Sequence, residues 1–134
     1  MNFEITAIYL SMSALLMLVL AYRVTAYRRK FKVGLGDGDR PEFSVAIRAH
    51  ANLVEYAPIT MFLLFIAESL NVSSLLLHIC GMVFILSRIA HAWGYTVAAG
   101  GYSLFRIYGI AANWLVMLML VACNLYMVFL NSVF

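Results

Sequence analysis

Glu55, Arg88 and Asn113 interrupt three otherwise apolar runs, each seven residues from a boundary residue: Arg48, Tyr95 and Arg106 respectively. A helix crosses the ~30 Å hydrocarbon layer of a bilayer in about 20 residues. Seven residues at ~1.5 Å each put all three side chains about 10 Å below one membrane face. Ionisable groups at such depth face a bundle interior, pair with one another or line a water-filled cavity. Their angular positions agree with this. Arg48, Asn52 and Glu55 fall within roughly 60° on a helical wheel. Arg88, His91 and Tyr95 form a second stripe, and Arg106, Asn113 and Asn124 a third. Two readings stand for the central charges: Glu55 and Arg88 as an ion pair that fixes helix register, or as parts of a polar pocket opening to the cytoplasm. Arg48 and Arg106 likewise read either as pocket residues or as boundary side chains that snorkel to the headgroups. In the pocket reading, Arg28, Arg29, Arg48, Arg88 and Arg106 outnumber Glu55. Arginine holds carboxylates in bidentate fashion and a buried glutamate takes an ammonium, so the pocket suits a small polyanion with one positive group. An arginine beside a thiol also favours the thiolate, the nucleophilic form of sulfur.

These side chains need a scaffold, and composition restricts what it is. Of 134 residues, 65% are hydrophobic and 11% charged, with a mean hydropathy of +0.94. A soluble domain carries about a quarter charged residues, so lipid must be the outer solvent. The expectation is an all-α integral membrane four-helix bundle, one domain over residues 1–134, with spans near 5–27, 43–70, 74–95 and 105–131. Positive charge follows the first apolar run instead of preceding it, which marks an uncleaved span and not a signal peptide. Pro41-Glu42 is a helix start, and Asn71-Val-Ser-Ser reads as a turn and cap for the third helix. Arg23, Arg28, Arg29, Lys30, Lys32 and Arg40 crowd the first connection, whereas the second has no Lys or Arg. The positive-inside rule then places the first and third connections in the cytoplasm and both termini on the other side. Because the basic residues are concentrated beside a span, the net charge of +3 does not read as a nucleic-acid surface. No internal repeat supports an inverted-repeat transporter. Cys80 and Cys123 read as small buried apolar residues. His78 reads as a hydrogen-bonded interior residue. His50 and His91 have no cysteine or carboxylate at ligand spacing, so no metal site is expected. Ala46, Ala49, Ala51 and Ala57 would let the second helix approach a neighbour closely.

The segment Arg48-Ala-His-Ala-Asn52-Leu-Val-Glu55-Tyr56-Ala-Pro58 resembles the signature of the MAPEG superfamily, membrane proteins of eicosanoid and glutathione metabolism. That signature is Arg-x-x-x-Asn-x-x-Glu-Tyr-x-Pro on the second helix. Arg28-Arg-Lys-Phe-Lys-Val33 and Pro41-Glu-Phe43 resemble the leukotriene synthase branch at the end of its first helix and the start of its second. Arg88, Gly94 and Tyr95 fit its Arg-x5-Gly-Tyr pattern, and the likeness runs from about residue 20 to residue 108. The resemblance implies a homotrimer in membrane lipid, with glutathione as co-substrate bound between subunits near the cytoplasmic face. Glutathione has two carboxylates, one amine and one thiol, which matches the pocket chemistry above. By the resemblance, Arg48, Asn52, Glu55 and Tyr56 hold it from one subunit, Tyr95 adds a hydrogen bond, and Arg28 reaches in from a neighbour. Arg29, Arg88, His91 and Asn113 are supporting polar residues, and Arg106 is the candidate for the arginine that stabilises the thiolate. The branch places that arginine seven residues after the tyrosine, where this chain has Tyr102; Arg106 is eleven on and needs a longer loop. His91 also stands where the branch has a tyrosine, and His50 where it has a glutamine.

The function expected is a membrane glutathione transferase or peroxidase acting on lipophilic electrophiles or lipid hydroperoxides, in a multi-pass protein of a bacterial inner membrane. The alternative is a non-catalytic lipid-binding or scaffold protein of the same fold. A small four-span exporter is disfavoured, because the first span has no ionisable residue between Glu4 and Arg23.

Overall fold

A computed structural model describes residues 3–133. It contains four helices: α1 (Glu4–Phe31), α2 (Pro41–Ser69), α3 (Ser74–Val97) and α4 (Leu104–Val133). There is no strand among the described residues. All four helices are long and apolar enough to cross a membrane. The protein is therefore the all-α membrane bundle that its composition requires. α1 runs about a turn beyond the expected span, because Arg28, Arg29 and Lys30 in its last turn are good helix formers that favour the carbonyl end of the helix dipole. It stops where Lys32 turns left-handed at φ 55°. α2 starts on Pro41 itself, whose fixed φ suits the first helical position.

The turn at 71–74 differs from its expected role. Ser73 makes no side-chain cap to α3. Instead Asn71 adopts a left-handed φ of 60°, while its N–H donates to the Glu68 carbonyl and that of Val72 to the Ala67 carbonyl. This is a Schellman closure of α2, with asparagine as the residue that tolerates the left-handed conformation. α3 ends in the same way, with Ala99 at φ 46° and the Gly100 N–H donating to the Tyr95 carbonyl.

α2 and α3 lie at the centre. α1 packs on both, α4 packs on both, and α1 does not pack on α4. Small residues let the helices close. Ala46 and Ala49 are buried, and a side chain at Gly81 would collide with the Tyr9 ring. A Cβ at Gly109 would come within 2.7 Å of the Ser87 carbonyl oxygen, and one at Gly94 within 2.7 Å of the Arg106 backbone nitrogen. The main apolar core, with Tyr9, Met61, Leu64, Leu77, Phe84 and Leu120, fills the half of the bundle that contains Glu68.

At that end the Glu68 carboxylate caps a helix it does not belong to. It accepts the N–H of Ile5 at 3.0 Å and that of Thr6 at 2.8 Å, so the end of α2 closes the start of α1. The Tyr9 hydroxyl donates to the His78 carbonyl at 3.0 Å and lies 3.1 Å from Nδ1, which donates back in its protonated tautomer. His78 is thus hydrogen-bonded as expected, but on the bundle surface and not in its interior. The Asn124 amide donates to the Leu63 carbonyl at 3.1 Å and ties in α4. These contacts bring the start of α1 and the second half of α4 to the same end of the bundle.

Removing a helix cap costs about 1 kcal/mol. Glu68→Ala is expected to lower the thermal unfolding midpoint of the detergent-solubilised protein, and Glu68→Gln, which keeps one carbonyl acceptor, to lower it less. Equal losses would mean that the carbonyl acceptor is irrelevant.

Candidate functional site: a buried arginine junction beside an outward polar face

Arg88 is 2% exposed in the half of the bundle opposite Glu68. A buried guanidinium must have its donors satisfied, and three helices supply the partners. Nη1 donates to Asn52 Oδ1 on α2 at 2.7 Å, Nη2 to the Gly109 carbonyl on α4 at 2.9 Å, and Nε to Ser87 Oγ at 3.4 Å. The missing side chain of Gly109 is what lets α3 come close enough for the second bond. The guanidinium also lies 5.5 Å from the centre of the Tyr56 ring, a cation–π distance. The Tyr56 hydroxyl accepts from Trp114 Nε1 at 3.4 Å. Residues 52–56, 88 and 109–114 therefore share one level, as the residue counts along the spans require.

The register ion pair between Glu55 and Arg88 does not form. Glu55 instead lies 3.8 Å from Arg48, with the two side chains 51% and 54% exposed. Helix geometry explains the division. Ala49 and Leu53 mark the buried face of α2, and at about 100° per residue Asn52 lies nearer to them than Arg48 or Glu55 does, so Asn52 reaches Arg88 while Arg48 and Glu55 look outward. The expected single pocket is thus two layers: an inner junction of Arg88, Asn52 and Tyr56, and an outer charged face of Arg48 and Glu55.

Asn113 is fully buried at this level, yet its Oδ1 has no hydrogen-bond partner among the described residues, and its amide nitrogen lies 3.7 Å from Met117 Sδ. His91 is buried and meets the Tyr95 ring edge-on at 5.2 Å. Tyr95 carries the Arg106 guanidinium 4.6 Å above its ring. Arg106 Nη1 donates to the carbonyls of Gly100 and Gly101 at 2.9 and 3.0 Å. The longer loop between α3 and α4 thereby returns Arg106 to Tyr95. A cleft of about 290 Å³ lies alongside, lined by Arg48, Ser44, Tyr95 and Gly100 among others. Arg28 stays in its own loop, donating to the Val33, Gly34 and Gly36 carbonyls, and Arg29 is exposed. Among the described residues, neither forms a hydrogen bond or ion pair with those lining the cleft. On the lipid side, an apolar groove of about 510 Å³ between α3 and α4 is lined by Leu86, Ala90, Phe105 and Tyr108, and it shares Ser87 and Gly109 with the Arg88 junction.

The MAPEG family model matches residues 6–126 of the chain. The chain belongs to the MAPEG family. It is 35% identical over 124 residues to inner membrane protein YecN of Escherichia coli, from strain K12 and from an O6:H1 strain, covering 91% of each protein. With four membrane-crossing helices, this MAPEG chain is a multi-pass integral membrane protein. Its Arg-x-x-x-Asn-x-x-Glu-Tyr motif now has a physical division of labour: Asn52 and Tyr56 meet Arg88, while Arg48 and Glu55 face out. Ser87, Gly109 and Trp114 were not singled out from the sequence. Only Gly109 carries a signal, as a small residue inside an apolar span.

Removing a hydrogen-bonding partner from a buried charged network costs about 2 kcal/mol. Arg88→Met is therefore expected to destabilise the solubilised protein clearly, whereas Arg48→Gln, on the exposed face, changes its melting temperature little. Comparable shifts from the two variants would contradict the junction.

Proposed function

We propose that this protein is a membrane glutathione transferase or peroxidase, a homotrimer that binds glutathione between subunits and attacks lipophilic electrophiles or lipid hydroperoxides with its thiolate. The observation that carries the reading is the Arg48–Glu55 pair, half exposed at the level of a buried junction within a membrane span. A charged side chain facing lipid costs about 2.5–3.5 kcal/mol at the centre of a span, which is an upper bound for Glu55 at about 10 Å below the membrane face. A neighbouring copy together with a zwitterionic ligand would remove that cost. Arg48 offers a fork to a carboxylate and Glu55 an acceptor to an ammonium. Asn52 and Tyr56 lie on the adjacent turn, and Tyr95, which carries Arg106 on its ring, lines the same cleft as Arg48. Arg28 would come from the neighbouring subunit. Arg106 would favour the deprotonated sulfur, whose lone pair bonds either to an electrophilic carbon, expelling its leaving group as an anion, or to the terminal oxygen of a hydroperoxide. There the O–O bond breaks, the lipid alkoxide takes a proton and leaves as the alcohol, and a second glutathione converts the resulting sulfenic acid to the disulfide and water. The apolar groove beside the junction suits a second substrate that arrives through the bilayer. The basic first connection supports a cytoplasmic site with both termini opposite, and the likeness to an inner membrane protein supports a bacterial inner membrane.

One observation favours the second reading, a non-catalytic lipid-binding or scaffold protein. Arg106 is already bonded to two loop carbonyls, which is also how a purely structural arginine would look.

Calorimetric titration of the solubilised protein with glutathione separates the readings, and no heat at millimolar ligand would sink the first. Loss of a charge-assisted hydrogen bond weakens binding by about tenfold or more. That loss is expected for both Arg48→Ala and Glu55→Ala. Arg106→Leu is expected to keep most binding but to abolish the ultraviolet thiolate absorbance of bound glutathione. An unchanged thiolate signal would remove Arg106 from catalysis, and native mass spectrometry reads the trimer directly.

A further inference from the structure

Six of the nine Lys and Arg residues fall between Arg23 and Arg40. They are organised around rings. Tyr27 and Phe31 stack at 5.7 Å with planes 10° apart, and Phe43 from α2 tilts against Tyr27 at 5.8 Å and Phe31 at 6.2 Å. Two cations share one of these rings: Lys30 Nζ lies 4.9 Å and the Arg40 guanidinium 4.4 Å from the centre of Phe31. A ring face positions a cation without neutralising it. Three carboxylates are near in sequence, yet Asp37, Asp39 and Glu42 form no ion pair with Lys30 or Arg40. One oxygen of Asp37 instead accepts the Asp39 N–H at 3.1 Å. Arg40 is also the N-cap residue of α2 and gives it no side-chain cap, so the positive end of the helix dipole adds to the local field.

The position of this cluster decides what kind of anion it fits. Phe31 ends α1 and Phe43 opens α2, both membrane-crossing helices, so the rings sit where a span leaves the bilayer. Aromatic rings settle at the headgroup level, and basic clusters beside a span attract anionic lipid. A zwitterionic headgroup would bring its own cation up to Lys30 and Arg40, whereas an anionic headgroup brings a phosphate diester and no such cation. We infer that Lys30 and Arg40, each within cation–π distance of Phe31, form a binding site for the phosphate of an anionic phospholipid headgroup. The site uses neither Arg48 nor Glu55 and does not depend on the proposed catalysis.

The test uses the full chain, equilibrated with an equimolar mixture of phosphatidylglycerol and phosphatidylcholine and examined by native mass spectrometry. The wild type is expected to retain phosphatidylglycerol several-fold over phosphatidylcholine. The double variant Lys30→Gln/Arg40→Gln changes two exposed side chains and should erase the preference. Phe31→Leu, which keeps an apolar side chain without a ring, should reduce it. Excess inorganic phosphate should not displace the lipid. Equal retention of the two lipids by the wild type, or an undiminished preference in the double variant, would overturn the inference. Displacement by inorganic phosphate would overturn it too, by making the site one for a free anion.

Discussion

A guanidinium buried among apolar helices leaves the fold little choice. Arg88 has to find acceptors, and it finds Asn52 on α2, Gly109 on α4 and Ser87 on its own helix. Each partner constrains a different degree of freedom. Asn52 sets the rotation of α2, Gly109 sets how near α4 comes, and Tyr56 under the guanidinium sets their relative height. With Ala49, Leu53 and Asn52 turned inward, Arg48 and Glu55 lie on the outer side of their shared stripe. The charged face is in this sense a consequence of the buried charge.

The other half of the bundle is held differently. There the closures are a carboxylate on a helix start, a tyrosine–histidine contact and one asparagine amide around a continuous apolar core. In lipid, helices gain little from apolar contact with one another, so small residues and hydrogen bonds do the holding. Gly81, Gly94 and Gly109 each remove a side chain where a neighbour needs the space. α1 has fewer such ties towards its basic end. There Leu20 joins Ala49, Leu53 and Ala92, and Arg23 donates to Thr96 Oγ1.

The helices, their order and the shared depth of Glu55, Arg88 and Asn113 were legible in the sequence, because apolar run length and residue counting register position along a membrane normal. Partner choice was not. Counting places Glu55 and Arg88 at one level, where opposite charges suggest a pair, but angle decides, and an amide at position 52 stands closer to α3 than the carboxylate at 55. Asn71 lies in a turn as its sequence suggests, but the turn closes α2 instead of capping α3, for a related reason. Asparagine serves both as an N-cap and as a left-handed residue after a helix, and the two roles look alike in one dimension. Glu68 as the cap of α1 was hidden because its partners are 62 and 63 residues away.

The two candidate arginines, Arg88 and Arg106, can be told apart by their donors. A guanidinium has five N–H groups. Arg88 is buried and directs one hydrogen each from Nε, Nη1 and Nη2 at protein partners, so every nitrogen of its guanidinium is engaged within the bundle. Arg106 directs only Nη1 at protein, one hydrogen to each of two loop carbonyls, while its plane rests on Tyr95. Its Nε and Nη2 make no hydrogen bond among the described residues, and the bonds to the loop hold that edge in orientation without using it. Arg106 thus engages one of its three guanidinium nitrogens where Arg88 engages all three, and that difference is what separates the two side chains.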